Sequence, residues 1–275
     1  MEISIEFFPP KTEEGFTRLN STSKKLADLN ASYASVTYGA GGSTQEGTLK
    51  SVKLLGRIFK KSVPHISCIG ADKKSIFEML SKYKYLGFNH LVVLRGDLPS
   101  GFGRGGEFAN AVDLVKFIRE NFEDYFRIEV AAYPEIHPQA TSAEQDIKYL
   151  SEKVKAGANG AITQYFFNSD AYFKFVDDAH KLGVDVPIVP GVMPINNFKQ
   201  LSRFSDNCGA EIPRWITQRM NDYGDDSRSI FCFGVEIVTK LCEKLVSSGV
   251  PGIHFYSMNK SEAIIEIYKN LEPLQ

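Results

Sequence analysis

Cysteine is scarce, one charge sign hardly exceeds the other, and no hydrophobic run is long. Only four cysteines occur in 275 residues, Cys68, Cys208, Cys232 and Cys242, and no two form a C-x-x-C pair. This excludes a disulfide scaffold and is the pattern of free thiols in a reducing compartment. His65 and Cys68 share an H-x-x-C spacing, but no second pair completes a zinc set, so no metal is expected. Lys and Arg number 32 against 33 Asp and Glu, a formal charge of -1. Without a basic stripe or an acidic tail, neither nucleic acid nor a membrane surface is the expected partner. No apolar run is long enough to span a bilayer. The opening MEISIEFFPPK has no basic n-region, apolar h-region or small-residue cleavage site. The expectation is a cytoplasmic protein.

What is present is 43% hydrophobic residues arranged in a repeating alternation. Short β-rich runs stand at Ile3–Phe7, Tyr33–Val36, Val63–Ser67, Leu91–Leu94, Ile128–Ala132, Ala161–Thr163, Pro187–Pro190 and Gly252–Phe255. Amphipathic segments follow at 14–29, 44–60, 73–86, 107–121, 142–156, 169–182 and 196–206, then a long helical stretch at 212–247 and a last helix at 261–271. Ser142-Ala143-Glu144-Gln145 has capping-box form, and Gly87, Gly157 and Gly183 fall where helix-ending glycines belong. Strands that alternate with helices imply a parallel sheet, and eight of them close a barrel. With no linker or composition shift, the expected architecture is a single-domain (β/α)8 TIM barrel over residues 1–275. An open doubly wound sheet is the alternative.

In a barrel, catalytic side chains gather at the C-terminal ends of the strands. On the first strand Ile3, Ile5 and Phe7 share one face and Ser4 and Glu6 the other, so Glu6 points inward near the strand's end. A carboxyl there is a tunable acid or part of a structural hydrogen-bond network. Thr37-Tyr38-Gly39-Ala40-Gly41-Gly42 ends the second strand and allows close backbone approach to a ligand, or is a plain turn. His65 on the third strand is a ligand contact or a satisfied core residue. The fourth ends in Arg95-Gly96-Asp97, a phosphate-holding cation beside an anion or a local ion pair. Tyr133 and His137 each stand directly before a stiffening proline, Pro134 and Pro138. Gln164 offers donor and acceptor together, beside aromatics Tyr165, Phe166 and Phe167 that suit a site or core packing.

Gly101-Phe102-Gly103-Arg104-Gly105-Gly106 matches G-x-G-x-x-G, but a proline-containing loop separates it from its strand. A dinucleotide fingerprint follows its strand directly, so a glycine-rich loop over the barrel mouth is the better reading.

Taken in order, Ile5-Glu6-Phe7-Phe8-Pro9-Pro10-Lys11, Val36-Thr37-Tyr38-Gly39-Ala40, Pro64-His65-Ile66-Ser67-Cys68 and Leu94-Arg95-Gly96-Asp97-Leu98-Pro99 resemble motifs of the methylenetetrahydrofolate reductases. So do Ala131-Ala132-Tyr133-Pro134-Glu135-Ile136-His137-Pro138, Gly157-Ala158-Asn159-Gly160-Ala161-Ile162-Thr163-Gln164, Pro190-Gly191-Val192-Met193-Pro194, Asn197-Phe198-Lys199-Gln200 and His254-Phe255-Tyr256-Ser257-Met258-Asn259. The series covers nearly the whole chain.

The resemblance implies a non-covalent FAD, NADH or NADPH as reductant, and reduction of 5,10-methylenetetrahydrofolate to 5-methyltetrahydrofolate, which feeds methionine synthesis. It implies two half-reactions: the nicotinamide reduces the flavin, then the folate takes its place and is reduced. Glu6 then matches the family's general acid, which protonates the folate nitrogen so that the methylene carbon becomes electrophilic. Asp97 matches an aspartate beside flavin and pterin. Tyr38, Ala40, His65, Arg95, Gly96, Tyr133, His137, Ala140, Asp146 and Lys153 fall on FAD-contact positions, with Arg95 and Lys153 toward the pyrophosphate. Thr37 and Gln164 match positions near nicotinamide or folate, and Gln200 and Phe204 the substrate side. Glu152, Tyr149 and Lys260 depart from the family pattern. The resemblance also implies a homo-oligomer and a catalytic-only form without a regulatory domain. The competing readings are an NAD-dependent dehydrogenase using the glycine-rich loop and a flavin- or folate-binding module without activity.

Overall fold

The computed structural model describes residues 2–38, 42–96 and 106–271. The expected positions Ala40 and Asp97, and the glycine-rich segment up to Gly105, lie outside them. Strands β1 (Glu2–Phe7), β2 (Tyr33–Val36), β3 (Ser62–Ser67), β4 (His90–Leu94), β5 (Arg127–Ala132), β6 (Gly160–Thr163), β7 (Ile188–Val189), β8 (Gly191–Val192) and β9 (Gly252–Tyr256) alternate with helices. These are α1 (Glu13–Ala27), α2 (Gly42–Leu55), α3 (Lys73–Tyr85), α4 (Ala111–Phe122), α5 (Ala143–Lys155), α6 (Ser169–Lys181), α7 (Phe198–Cys208), α8 (Arg214–Asp222), α9 (Ser227–Ser247) and α10 (Glu262–Leu271).

All pairings are parallel, in the order β7-β6-β5-β4-β3-β2-β1-β9-β8. The two ends of that order are neighbours in the chain, since only Pro190 separates β7 from β8. Proline has no N–H to give a ladder, so the strand changes partners across it, from β6 to β9. The nine strands therefore occupy eight positions of a parallel α/β barrel. The seventh expected strand is this interrupted pair.

Gly191 is required at the break. A Cβ there would lie 2.1 Å from the Thr163 carbonyl oxygen and 2.6 Å from the Tyr256 ring, which is itself tethered because its hydroxyl donates to that carbonyl at 2.7 Å. Neither obstacle can swing aside. Gly191→Ala is expected to lower the unfolding free energy by about 3 kcal/mol, read as a shift of the urea midpoint.

Two segments differ from expectation. The helix expected at 107–121 starts at Ala111, because Asn110 forms a capping box with Asp113 and holds the preceding residues outside the helix. The stretch at 212–247 is two helices. Gly224 takes a left-handed φ of 57°, and Asp226 caps α9 by accepting from the Arg228 and Ser229 N–H groups. Ser142 caps α5 by accepting the Gln145 N–H, one of the two bonds of the capping box that its motif suggests. Gly87, Gly157 and Gly183 all have positive φ at their helix ends.

The core divides along the strand alternation. Ile3, Ile5 and Phe7 face outward into one large apolar cluster between strands and helices, with Leu19, Leu26 and Phe255. A second, small cluster of Tyr33, Val63, Val92 and Ile162, with Leu94 against it, fills the barrel itself. The rest of the interior is polar, and this positions the site. No helix among the described residues is long and apolar enough to cross a membrane.

Candidate active site

Glu6 projects from the end of β1 into the barrel, as the alternation requires, with a side chain 19% exposed. The strand end is locked from β9: the Glu6 carbonyl accepts from the Ser257 hydroxyl at 2.5 Å and from its N–H at 3.2 Å. Met258 and Asn259 then turn through left-handed backbone, and the Asn259 amide pairs with both backbone groups of Phe8, at 3.0 and 2.9 Å. The chain's opening motif is thus held by its closing one.

Two imidazoles flank the Glu6 carboxyl. His65 Nε2 lies 3.6 Å and His254 Nε2 3.9 Å from Oε2. Burial pushes the His65 imidazole down to about 4, against the upward pull of Glu6. Desolvation prevails, so His65 is neutral at pH 7 and its approach to Glu6 is not an ion pair. Among the described residues neither ring nitrogen of His65 has a hydrogen-bond partner.

Below this layer Glu129 on β5 is buried. Its Oε2 accepts from the Tyr33 hydroxyl at 2.6 Å and stands 3.4 Å from His90 Nε2, and Oε1 stands 3.6 Å from Arg127. Burial alone would raise this carboxyl, but His90, Tyr33 and Arg127 together outweigh it and bring it down to about 2. On β1 the Ser4 hydroxyl lies 2.7 Å from His254 Nδ1.

At the rim, Arg95 donates to the Gln139 side-chain oxygen at 2.5 Å and to the Gly96 carbonyl at 3.3 Å. Tyr133 and His137 meet edge to face at 4.5 Å. Asp146 reaches back from α5 to accept the His137 N–H, and Ala140 N–H closes the turn onto the His137 carbonyl. Burial raises the Asp146 carboxyl. Lys153 is half-buried with its ammonium on the Ala131 carbonyl at 2.5 Å, and burial pulls it down to about 8. Thr37 and Tyr38 follow β2, both half-buried. The Gln164 side-chain oxygen accepts the Tyr165 N–H at 3.0 Å. Gln200 and Phe204 line one small pocket with Met193, Pro194, Met258 and Lys260, so the helix α7 positions and one departure from the family pattern share a wall. Glu152 and Tyr149 are exposed on α5.

Sequence reasoning named Glu6, His65, Arg95 and the β5–α5 loop residues, but it missed the Tyr33–Glu129 and Ser4–His254 pairs and Gln139 as the Arg95 partner. The available signal was the shared face of Ser4 and Glu6. A surface groove of about 510 Å³ between α9 and α10 contains none of the expected site residues. Among the described residues no cluster of His, Cys, Asp and Glu could hold a metal.

A parallel barrel with a carboxyl, neutral imidazole and cations gathered at the C-terminal ends of its strands has the layout of a barrel enzyme. Residues 1–272 match the family model described as methylenetetrahydrofolate reductase, and the chain belongs to that family. It is 38% identical over 263 residues to the 5,10-methylenetetrahydrofolate reductase of Escherichia coli, covering 95% of this chain and 88% of that one. It is 36% identical to a probable methylenetetrahydrofolate reductase (NADH) of rice, but spans 48%, about half, of that protein's length. Among solved structures, an uncharacterized protein from Clostridium thermocellum that binds two copies of 5-methyl-5,6,7,8-tetrahydrofolic acid superposes with a TM-score of 0.69. At 18% identity, covering 99% of this chain and 94% of the other, that likeness concerns the fold.

Proposed function

We propose that this protein reduces 5,10-methylenetetrahydrofolate to 5-methyltetrahydrofolate with NADH or NADPH as hydride source, through bound FAD, and so supplies methyl groups for methionine synthesis. The observation that carries the reading is Glu6, a carboxyl inside the barrel mouth with neutral imidazole beside it. Opening the folate's five-membered ring needs a proton on its nitrogen, and a partly desolvated carboxyl is suited to give one.

The residues present fit FAD. The Arg95 guanidinium and the Lys153 ammonium are the cations for a pyrophosphate, and Tyr38, Tyr133 and His137 offer ring faces and polar edges. The unpartnered nitrogens of His65 are what a bound polar heterocycle would satisfy. When bound, FAD supplies the two-electron relay between nicotinamide and folate. Asp146 would hold the His137 loop against it, with Gly96 and Ala140 giving close backbone approach. Thr37 and Gln164 would contact nicotinamide or folate in turn, and Gln200 and Phe204 the pterin side. Asp97, next to Gly96 in sequence, is assigned to flavin and pterin by the family resemblance.

The test is the visible spectrum. The purified protein is expected to be yellow, to bleach anaerobically with NADH, and to regain its colour when methylenetetrahydrofolate is added. A colourless protein that takes up no FAD would overturn the reading.

A further inference from the structure

The end of β3 holds the backbone of Arg95. Its carbonyl accepts the Ser67 hydroxyl at 2.7 Å and the Ile69 N–H at 2.9 Å. Gly96 fits against this clamp because it lacks a side chain: a Cβ there would lie 2.1 Å from the Ser67 hydroxyl oxygen. The clamp fixes where the Arg95 side chain starts and leaves its direction open. A long arginine side chain at a rim has several torsions to order, and a ligand that must order them binds more weakly.

Gln139 supplies the direction. It stands in the loop after β5, and its side-chain oxygen accepts from the Arg95 guanidinium at 2.5 Å, while Nε of the same group turns onto the Gly96 carbonyl at 3.3 Å. A neutral amide oxygen steers the cation and leaves its charge, and its other N–H groups, to a ligand. Gln139 is itself set by the loop. Its N–H donates to His137 Nδ1 at 3.0 Å, the Ala140 N–H donates to the His137 carbonyl at 2.8 Å, and the His137 N–H donates to Asp146 of α5 at 2.8 Å. Pro138, just before Gln139, fixes a backbone angle of the turn. The β5–α5 loop thus reaches across the barrel mouth to the end of β4 through one side chain.

We propose that Gln139 is a positioning residue, which holds the Arg95 guanidinium ready for the pyrophosphate of a bound dinucleotide. This rests on the reading that the barrel mouth binds FAD with Arg95 toward its phosphates. Gln139 acts through Arg95, so its contribution vanishes when the guanidinium is removed.

Titration of flavin-stripped protein with FAD, followed by flavin fluorescence, tests it without reference to activity. Gln139→Leu keeps the bulk of the side chain and loses the acceptor. It is expected to weaken FAD binding about tenfold, the effect of one hydrogen bond to a charged group. In an Arg95→Ala background the same substitution should change the dissociation constant less than about twofold, because the group it steers is gone. A residue that only stiffened its loop would cost the same factor in both backgrounds. Gln139→Glu keeps an acceptor in place and should bind FAD within about threefold of wild type. Gln139 is exposed, and none of these changes removes a backbone bond of the loop, so the urea midpoints of the flavin-free variants should coincide. Equal FAD affinity in wild type and Gln139→Leu, equal losses with and without Arg95, or a Gln139→Glu protein as weak as Gln139→Leu overturns the inference while the functional reading stands. A wild-type protein that takes up no FAD overturns the functional reading and this inference with it.

Discussion

Glu6→Gln protein is expected to accept hydride from NADH at nearly the wild-type rate and to pass it to methylenetetrahydrofolate about 10²–10⁴ times more slowly, the range that positioned acid catalysis contributes. The amide keeps the size and hydrogen-bonding capacity of the side chain but has no acidic proton. The strand end is held by the Glu6 backbone carbonyl on Ser257, not by the carboxyl, so the substitution leaves the frame intact. Nicotinamide oxidation needs no proton from Glu6, which is why the two half-reactions separate. Stopped-flow absorbance of each half-reaction measures the split. Equal losses in both, or no loss in the folate step, would remove Glu6 from the acid role.

The second large effect concerns stability. Glu129→Ala is expected to lower the unfolding free energy by about 3–5 kcal/mol, because it leaves the Tyr33 hydroxyl and its neighbours His90 and Arg127 around an uncompensated space. Urea denaturation at neutral pH reads this; a change below about 1 kcal/mol would show that water already serves the network.

The same groups set the sign of the acid response. His65 is lowered on folding from 6.5 to about 4, so it stays neutral while the unfolded chain takes up a proton, and stability falls as pH drops from 6.5 to about 4. Glu129 is lowered from 4.5 to about 2, so its contribution is present above 4.5 and is lost as pH falls toward 2. Glu129→Gln should remove the second window and spare the first. Unfolding free energy measured at steps of pH distinguishes them.

Much of the site could be read in the chain because a barrel converts alternation into position. Once Ile3, Ile5 and Phe7 are placed outward, Ser4 and Glu6 must point inward, and the structure agrees. Helix ends with local chemistry were legible for the same reason, as at Ser142 and Gly157. The split of the 212–247 stretch was missed although it had a local signal: Gly224-Asp225-Asp226-Ser227 breaks the apolar periodicity between Tyr223 and Ile230, with a helix-ending glycine followed by an N-cap aspartate. The Arg95 partner was out of reach, since Gln139 lies 44 residues away on a different strand's loop.

The order of strands and helices, the inward face of β1 and the family of the chain were determined by the sequence alone, through periodicity and motifs that act over a few residues. The closure across Pro190, the burial of His65 and the hydrogen bonds of Tyr33 to Glu129 and of Ser4 to His254 were decided only by the tertiary structure. These depend on burial and on contacts between residues as far as 250 positions apart, and no local pattern encodes a desolvation or a distance across a barrel.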